Sequence, residues 1–237
     1  MKLSQETLRQ EIKYKVFLKD ISILYAWLYS SSFFKESYNP RNVNSLYFDT
    51  SNYDFASSNM SGESKRMKVR ARWYSELDES FLDSFVSDTK VFNFEVKRKI
   101  NSLSDKLNIG EIKFDKKDNY LCRVESIQNE LDSVCENFLT LSACKLLSTV
   151  FTNYEREYYE LNSDNKIRLT IDKKISYFNS KALSDLTLLS KDSIIVELKF
   201  HPELRNKVNK LMKDFPFRQV RSSKFLSSLA QIQRVSY

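Results

Sequence analysis

The sequence predicts an α+β fold with a largely antiparallel sheet. Stretches in which apolar and polar residues alternate, typical of strands, are separated by long intervals that contain apolar residues at helical spacing. Of the 237 residues, 41% are hydrophobic, and 17 Phe and 13 Tyr add side chains that favour strands. No Pro/Gly-rich linker or repeat divides the chain, so we expect one domain over residues 1–237.

The individual elements follow from these two periodicities. Alternation predicts strands at residues 11–18, 45–49, 64–74, 92–99, 154–161, 167–172 and 194–200. Helical spacing predicts helices at residues 20–31, 121–147, 202–215 and 222–233. We expect Asp20 to cap the first helix, Pro202 to lie in the first turn of the third, and Ser222 or Ser223 to cap the fourth.

The scarcity of glycine and histidine excludes several classes of site. Gly62 and Gly110 are the only glycines, so neither a P-loop nor a dinucleotide fingerprint can be assembled. His201 is the only histidine, which excludes multi-His zinc sites, and its place before Pro202 favours a turn residue over a catalytic one. The chemistry of this protein therefore depends on lysines, arginines and carboxylates.

The cysteines and the apolar stretches indicate a cytoplasmic protein. The three cysteines form no C-x-x-C pair, which is typical of free thiols in a reducing compartment. The first residues contain no apolar signal-peptide core. The longest uncharged stretch, residues 21–34, is too short to span a bilayer, so we expect no transmembrane segment.

Charged side chains share one face of the predicted strands. Arg66, Lys68, Arg70 and Arg72 alternate with apolar residues, and five other strands show the same pattern with about one acid each. An antiparallel sheet with one face in water would also alternate in this way. However, like charges on neighbouring strands destabilise a sheet, which favours a barrel whose charged faces point inward around an anion.

The other side chains limit which class of anion could fit inside such a barrel. A chain of phosphates, with a divalent metal held by one or two carboxylates, fits a cationic interior. Nucleic acid fits less well, because the aromatic residues lie mostly on the apolar faces instead of among the basic residues. The overall charge of +7 is too modest to establish a polyanionic partner by itself.

The charged segments, taken in order, resemble the VTC domain from about residue 11 to residue 229. The motifs are Tyr47-Phe48-Asp49-Thr50, Arg66-x-Lys68-x-Arg70-x-Arg72-Trp73-Tyr74, Phe94-Glu95-x-Lys97-Arg98-Lys99, Tyr154-x-Arg156, Arg168-x-Thr170-x-Asp172, Glu197-x-Lys199-Phe200 and Ser223-Lys224-Phe225. This family belongs to the triphosphate tunnel metalloenzymes, which are related to CYTH domains. The resemblance implies a closed antiparallel eight-stranded β-barrel, forming a triphosphate tunnel flanked by helices.

The resemblance also implies an activity and a set of site residues. VTC domains resemble polyphosphate polymerases, which move the γ-phosphoryl of ATP onto a growing chain with Mn²⁺ or Mg²⁺. The residues that would act on the transferred phosphoryl are Arg70, Arg72, Lys97, Arg168 and Lys199. Those that would bind the substrate are Lys13, Tyr154, Arg156, Ser223 and Lys224. Glu197 would hold the metal.

The sequence leaves the roles of three residues undecided. Lys15 faces the same way as Lys13 and could lie in the tunnel or at its rim. Glu95 could be a second metal ligand, although we favour a partner for Lys97 and the neighbouring arginines. Glu11 stands in Glu11-x-Lys13-x-Lys15, where the wider superfamily has two glutamates before its lysine, and its role is undecided.

Three functions are compatible with these residues. If the attacking oxygen belongs to a phosphate chain, the protein is a polymerase that uses ATP and polyphosphate; if it belongs to water, the same site is a nucleoside triphosphate or inorganic triphosphate hydrolase. The third is a non-catalytic polyphosphate-binding module. The sequence contains no counterpart of the phosphate-sensing and membrane-spanning modules of the eukaryotic polymerase, so we do not expect this chain alone to couple synthesis to export; a membrane partner protein is possible.

Overall fold

The computed structural model describes residues 8–30, 33–138, 141–181, 188–189 and 193–232. Within them the chain forms one sheet of nine strands. Their bounds are β1 Arg9–Phe17, β2 Phe34–Asp49, β3 Lys65–Ser75, β4 Val91–Ile100, β5 Leu103–Lys113, β6 Leu147–Leu161, β7 Asp164–Asn179, β8 Leu188–Leu189 and β9 Ser193–Phe200.

The strand order brings the two ends of the sheet together. The order is β6-β2-β3-β4-β5-β1-β9-β7-β8, and β6 pairs with β7 as well as with β2. All of these pairings are antiparallel. The eight longer strands therefore each have at least two neighbours, and the two-residue β8 is a third neighbour of β7. This agrees with the predicted eight-stranded antiparallel sheet.

Helices and the apolar strand faces form two main cores. The helices are α1 Ile21–Ser30, α2 Asp54–Ser61, α3 Phe81–Val86, α4 Tyr120–Glu136, α5 Arg205–Leu211 and α6 Lys224–Ile232. Leu24 and Leu28 of α1 and Val208 of α5 pack against β1, β7 and β9. Ile127 and Leu131 of α4 pack with the buried Trp73 of β3 in the second core. Burial of these faces by helices leaves the charged faces turned away from the cores.

The structure extends several predicted strands and adds two, β5 and the two-residue β8. Residues 45–49 are the end of the 16-residue β2, and residues 154–161 are the second half of β6. Strand β5, and helices α2 and α3, were not predicted. The hairpin between β4 and β5 pairs Ile100 with Leu103 across a two-residue turn, and Asn101 there has a φ of 53°. An asparagine tolerates this conformation, but β5 itself alternates weakly.

The predicted helix at residues 121–147 is wrong in its second part. Helix α4 ends at Glu136, and Leu147 begins β6 instead. There Leu147 pairs with Asp49 and Ser148 with Phe48, so strand pairing overrides the helical spacing. Within the described part of the chain, no helix has the length and the hydropathy needed to span a bilayer.

The other helices are shorter than predicted. Asp20 ends a 3₁₀ turn, Leu18–Asp20, that leads into α1. Pro202 starts a second 3₁₀ turn after His201, whose carbonyl accepts from the Leu204 N–H, so the predicted turn at His201 is confirmed. Helix α5 then ends at Leu211 instead of residue 215.

The serine cap of the last helix is confirmed. Helix α6 begins at Lys224, and the Oγ of Ser223 accepts from the Leu226 N–H at 3.3 Å. The predicted ends of the first and last helices, Ser31 and Gln233, lie outside the described residues.

Candidate functional site

The charged strand faces line two cavities that meet. The main chamber has a volume of about 350 Å³ and the second cavity about 440 Å³. Both are lined by Glu11, Lys13, Lys68 and Lys97, so these four residues mark where they join. The cationic side chains of the main chamber are Arg9, Lys13, Arg41, Lys68, Arg70, Arg72, Lys97, Lys106, Arg156, Arg168, Lys199 and Lys224.

The register of the sheet places these charges in cross-strand pairs. Arg70 lies opposite Glu95 across β3 and β4, and Lys13 lies opposite Glu197 across β1 and β9. Arg156 lies opposite Asp172 across β6 and β7. Because alternate residues share a face, each strand presents its charged residues to the same interior.

Glu95 is a common partner of three cations in the main chamber. It accepts hydrogen bonds from Arg70 Nη2 and Lys106 Nζ, each at 2.7 Å, and lies 3.7 Å from Arg72 Nη1. Burial alone would raise the pKa of Glu95, but Arg70 and Arg72 hold it well below its usual range. Glu95 therefore carries a negative charge that fixes both arginines.

A second cluster joins β6, β7 and α6. Arg156 donates from Nε and Nη2 to the two carboxylate oxygens of Asp172, at 2.6 and 2.8 Å. Lys224, the first residue of α6, also donates to Asp172, and its Nζ lies 4.4 Å from the centre of the Tyr154 ring. Burial would raise the pKa of Asp172, yet Arg156 and Lys224 lower it to about 2.

The third cluster surrounds Glu197 and Glu11. The carboxylate of Glu197 lies 3.1 Å from Lys199 Nζ and 3.4 Å from Lys13 Nζ, and Lys97 donates to Glu11. Burial opposes ionisation of both acids, but Lys13 and Lys199 hold the pKa of Glu197 well below its usual value. Lys97 likewise lowers the pKa of Glu11 to about 2. Both acids are therefore ionised among lysines.

Three lysines in this region have lowered pKa values, because their surroundings disfavour the charged form. Burial lowers the pKa of Lys97 to about 7 and that of Lys199 to about 8, despite nearby glutamates. Burial, with the charges of Lys13 and Lys97, also lowers the pKa of Lys68 well below its usual value. A bound anion would offset this cost by supplying negative charge.

The second cavity contains cations that lack acidic partners. Arg66, Lys68, Lys99 and Arg221 line it, and none of them forms an ion pair with a carboxylate of the described residues. Repulsion from Arg221 adds to burial in lowering the pKa of Arg66. Because the charges of these four cations are not neutralised by acids, the second cavity should attract anions.

Most of the predicted site residues come together. The main chamber is lined by Lys13, Arg70, Arg72, Lys97, Tyr154, Arg156, Arg168, Glu197, Lys199 and Lys224. Ser223 lines the second cavity, and Glu11 lines both. Lys15 is exposed and lines neither.

Sequence reasoning missed several residues of the site. Lys68 was named with Arg70 and Arg72 on the charged face of its strand but was given no role in the site. Lys106 lies on the unpredicted β5, and Arg41 lies on the unpredicted first part of β2. Asp172 was part of a motif but was given no role, although it contacts two cations of the chamber.

The carboxylates fit a metal that binds together with phosphate. Among the described residues no group of three or more His, Cys, Asp or Glu side chains could hold a metal ion. Glu11 and Glu197 face the same chamber closely enough for their charges to interact. Mg²⁺ and similar ions often take only one or two carboxylates and complete their shell with water and substrate phosphates. Two carboxylates in a cationic chamber suit that mode.

Comparison with solved structures shows that this fold is shared with other proteins. HpAC1 from Hippeastrum, a candidate adenylyl cyclase described with a dominant triphosphatase activity, has a TM-score of 0.54 at 14% identity, over 95% of this chain and 96% of its own. A candidate adenylate cyclase from Vibrio parahaemolyticus has 0.53 at 12%, over 94% and 98%. The PH1819 protein of Pyrococcus horikoshii has 0.52 at 12%, over 94% and 99%.

Sequence comparison gives the family. No curated protein sequence matches the chain. The model of the VTC domain matches residues 5–233, which include every strand and helix of the described structure. This match agrees with the resemblance seen in the ordered charged motifs and with an eight-stranded antiparallel sheet flanked by helices. The chain therefore belongs to the VTC domain family.

Proposed function

We propose that this chain is a metal-dependent polyphosphate polymerase that moves the γ-phosphoryl of ATP onto a growing phosphate chain. The supporting observation is the junction of the two cavities at Glu11, Lys13, Lys68 and Lys97. The main chamber would hold the triphosphate, and the second cavity would extend its cationic lining for a longer chain. In this proposal residues 1–237 form one domain, and the eight strands form a closed barrel around a tunnel.

The distribution of acids supports different tasks for the two cavities. Arginines and lysines of the main chamber are held in position by Glu197, which also lines it, and by Glu95 and Asp172, which do not. The cations that line only the second cavity, such as Lys99 and Arg221, have no such partner among the described residues. Two like charges 4 Å apart repel by about 4 kcal/mol at an effective dielectric of 20. A polyanion that extends into this cavity would relieve that repulsion.

The proposed chemistry needs positioned charge more than a strong base. Arg70, Arg72 and Arg168 would bind phosphate oxygens through planar guanidinium groups, while Lys97 and Lys199 would act as point charges on the transferred phosphoryl group. The remaining contacts would come from Lys13, Tyr154, Arg156, Ser223 and Lys224. A phosphate chain end is already ionised, so its attack requires no general base.

The proposed metal ligand is Glu197, with Glu11 in the same chamber. When bound there with substrate, Mn²⁺ or Mg²⁺ would neutralise charge on the phosphate oxygens. Both carboxylates are held ionised by neighbouring lysines, which is the protonation state a metal ligand requires.

The second candidate is a triphosphatase. The main chamber alone contains enough cations for one triphosphate. In addition HpAC1, which shares this fold, is described with a dominant triphosphatase activity. Hydrolysis would use the same contacts with water as the attacking group.

Products distinguish the candidates directly. The purified chain is incubated with ATP and Mn²⁺, and the products are resolved on a gel stained for polyphosphate. A ladder or smear of long chains is expected; free phosphate without chains would favour the triphosphatase. Tight polyphosphate binding with neither product would leave the binding module.

A matched pair of variants tests the metal ligand. Glu197→Gln should abolish product formation while it leaves polyphosphate binding largely intact. Glu203→Gln, at a side chain that is 84% exposed and outside both cavities, is the control and should keep full activity. Full turnover by Glu197→Gln would contradict the assignment.

A further inference from the structure

A third cavity, here called the aromatic pocket, adjoins the main chamber. Its volume is about 370 Å³, and it shares Tyr38, Tyr158 and Tyr159 with the chamber. Tyr25 and Tyr29 bring its tyrosines to five. This volume lies within the range of small-molecule sites. The pocket is lined mainly by tyrosines, whereas the adjoining main chamber is lined mainly by cations.

The rings of this pocket offer faces and edges for a planar ligand. Tyr38 is 66% exposed, and its ring meets that of Tyr158 edge-on, with 5.8 Å between centroids. On another side, the rings of Tyr25 and Tyr29 are stacked, with centroids 6.0 Å apart. Such exposed aromatic surface favours stacking with a flat heteroaromatic ring.

The backbone around Tyr38 is irregular in a way that links the pocket to the chamber. The pairing of β2 with β6 shifts register between Glu36 and Tyr38 and again between Tyr38 and Arg41. Irregular strand pairing, of which β-bulges are the common form, redirects side chains and is frequent beside functional sites. Arg41 lines the main chamber and donates from Nε to the Tyr158 hydroxyl at 3.1 Å. One strand segment therefore serves both cavities.

The pocket also contains one carboxylate, that of Glu36, without a hydrogen-bond or ion-pair partner among the described residues. Glu157 is occupied, since the hydroxyls of Tyr25 and Tyr159 donate to it at 2.9 and 3.1 Å and Lys173 contacts it as well. The side chain of Glu36, which is exposed, forms no hydrogen bond or ion pair with any described residue, although the backbone of Glu36 pairs with that of Tyr159. Its carboxylate can therefore accept from a ligand at the edge of the pocket.

We propose that the aromatic pocket binds the base of a nucleoside triphosphate whose phosphates occupy the main chamber. The base stacks on Tyr38, and Glu36 accepts a hydrogen bond from an exocyclic amino group of the base. The pocket thus selects an amino-bearing nucleotide over inorganic triphosphate. This inference rests on the proposed function only in placing phosphates in the main chamber.

Binding measurements test the stacking part. Dissociation constants of ATP and inorganic triphosphate are measured by calorimetry without divalent metal, which prevents turnover. We expect ATP to bind more tightly than inorganic triphosphate. Tyr38→Ala should weaken ATP binding about fivefold or more and leave inorganic triphosphate unchanged. Phe17→Ala, an exposed aromatic outside all three cavities, is the control and should change neither.

A modified base tests the role of Glu36. Purine riboside triphosphate lacks the amino group of ATP, so the wild-type chain should bind it more weakly than ATP. In Glu36→Ala, the two ligands should bind with similar affinity. Equal affinities in the wild type, an equal loss for ATP and inorganic triphosphate in Tyr38→Ala, or no ATP binding at all would each overturn the proposal.

The proposal for the aromatic pocket and the polymerase proposal can each fail while the other holds. A preference for ATP that depends on Tyr38, in a chain that makes no polyphosphate, would support the pocket and contradict the polymerase. A polyphosphate ladder from a chain that does not distinguish ATP from purine riboside triphosphate would do the reverse.

Discussion

Lys68 on β3 donates a hydrogen bond from Nζ to the Oγ of Ser223, 2.7 Å away. The same Oγ accepts from the Leu226 N–H at the start of α6, so one hydroxyl both caps the helix and contacts the lysine between the cavities. Lys68 has no acidic partner among the described residues, while burial and the charges of Lys13 and Lys97 oppose its protonation. Ser223 therefore links the first turn of α6 to a lysine that lines both cavities.

Lys68→Met should stabilise the ligand-free protein. The change removes a buried cation that lies among other cations and leaves no carboxylate unpaired. A gain of about 1 kcal/mol would raise Tm by about 2–4 °C in a chain of this size. Thermal melting with and without polyphosphate provides the measurement. Polyphosphate should raise Tm less in the variant than in the wild type, and a lower Tm without ligand would contradict the argument.

Asp172→Asn should be strongly destabilising. The substitution leaves Arg156 and Lys224 buried without their shared counter-charge, and breaking a buried pair in this way costs about 3–5 kcal/mol. Urea unfolding measures the loss. Glu160→Gln is the comparison, because its partner Lys35 is more than half exposed and such pairs contribute about 0–1 kcal/mol. Similar losses in the two variants would show that the Asp172 cluster is not an energetic unit.

The stability of the ligand-free protein should rise with pH above neutrality. Burial lowers the pKa of Lys97 to about 7 and that of Lys199 to about 8, from a usual value of 10.5. Between pH 7 and 10.5 the unfolded chain therefore binds more protons than the folded chain, and the free energy of unfolding increases as pH rises. Urea unfolding from pH 6.5 to 9 should show this slope, and Lys97→Met should reduce it. An unchanged slope in Lys97→Met would contradict the assignment.

Arg70→Ala combined with Arg72→Ala should weaken polyphosphate binding at least about tenfold. Each arginine contributes planar, permanently charged donors to the main chamber. The matched control combines Lys113→Ala with Lys174→Ala, because both of these side chains are more than two-thirds exposed. Calorimetric titration at two salt concentrations separates site binding from general attraction. Equal losses in both double variants would mean that only overall charge matters.

Local alternation predicted much of the charged lining of the main chamber, because β3 carries Arg70 and Arg72 on one face regardless of what surrounds it. The parts that were missed depend on distant pairing. Lys106 reaches Glu95 only because β5 folds back on β4, although β5 alternates weakly. The second cavity likewise depends on the backbone contact between the Val220 N–H and the Lys13 carbonyl, which no local pattern specifies.

The pairing of β1 with its two neighbours is unequal. On one side β1 pairs with β9 from Gln10 to Phe17, whereas on the other it pairs with β5 only at Arg9 and Gln10. Few backbone hydrogen bonds therefore hold β1 to β5, and we expect these two strands to separate at a lower free-energy cost than β1 and β9. Amide hydrogens of β5 near Leu103 should exchange with deuterium before those of β9. A phosphate polymer could then enter from the side of the sheet, without its end being threaded through.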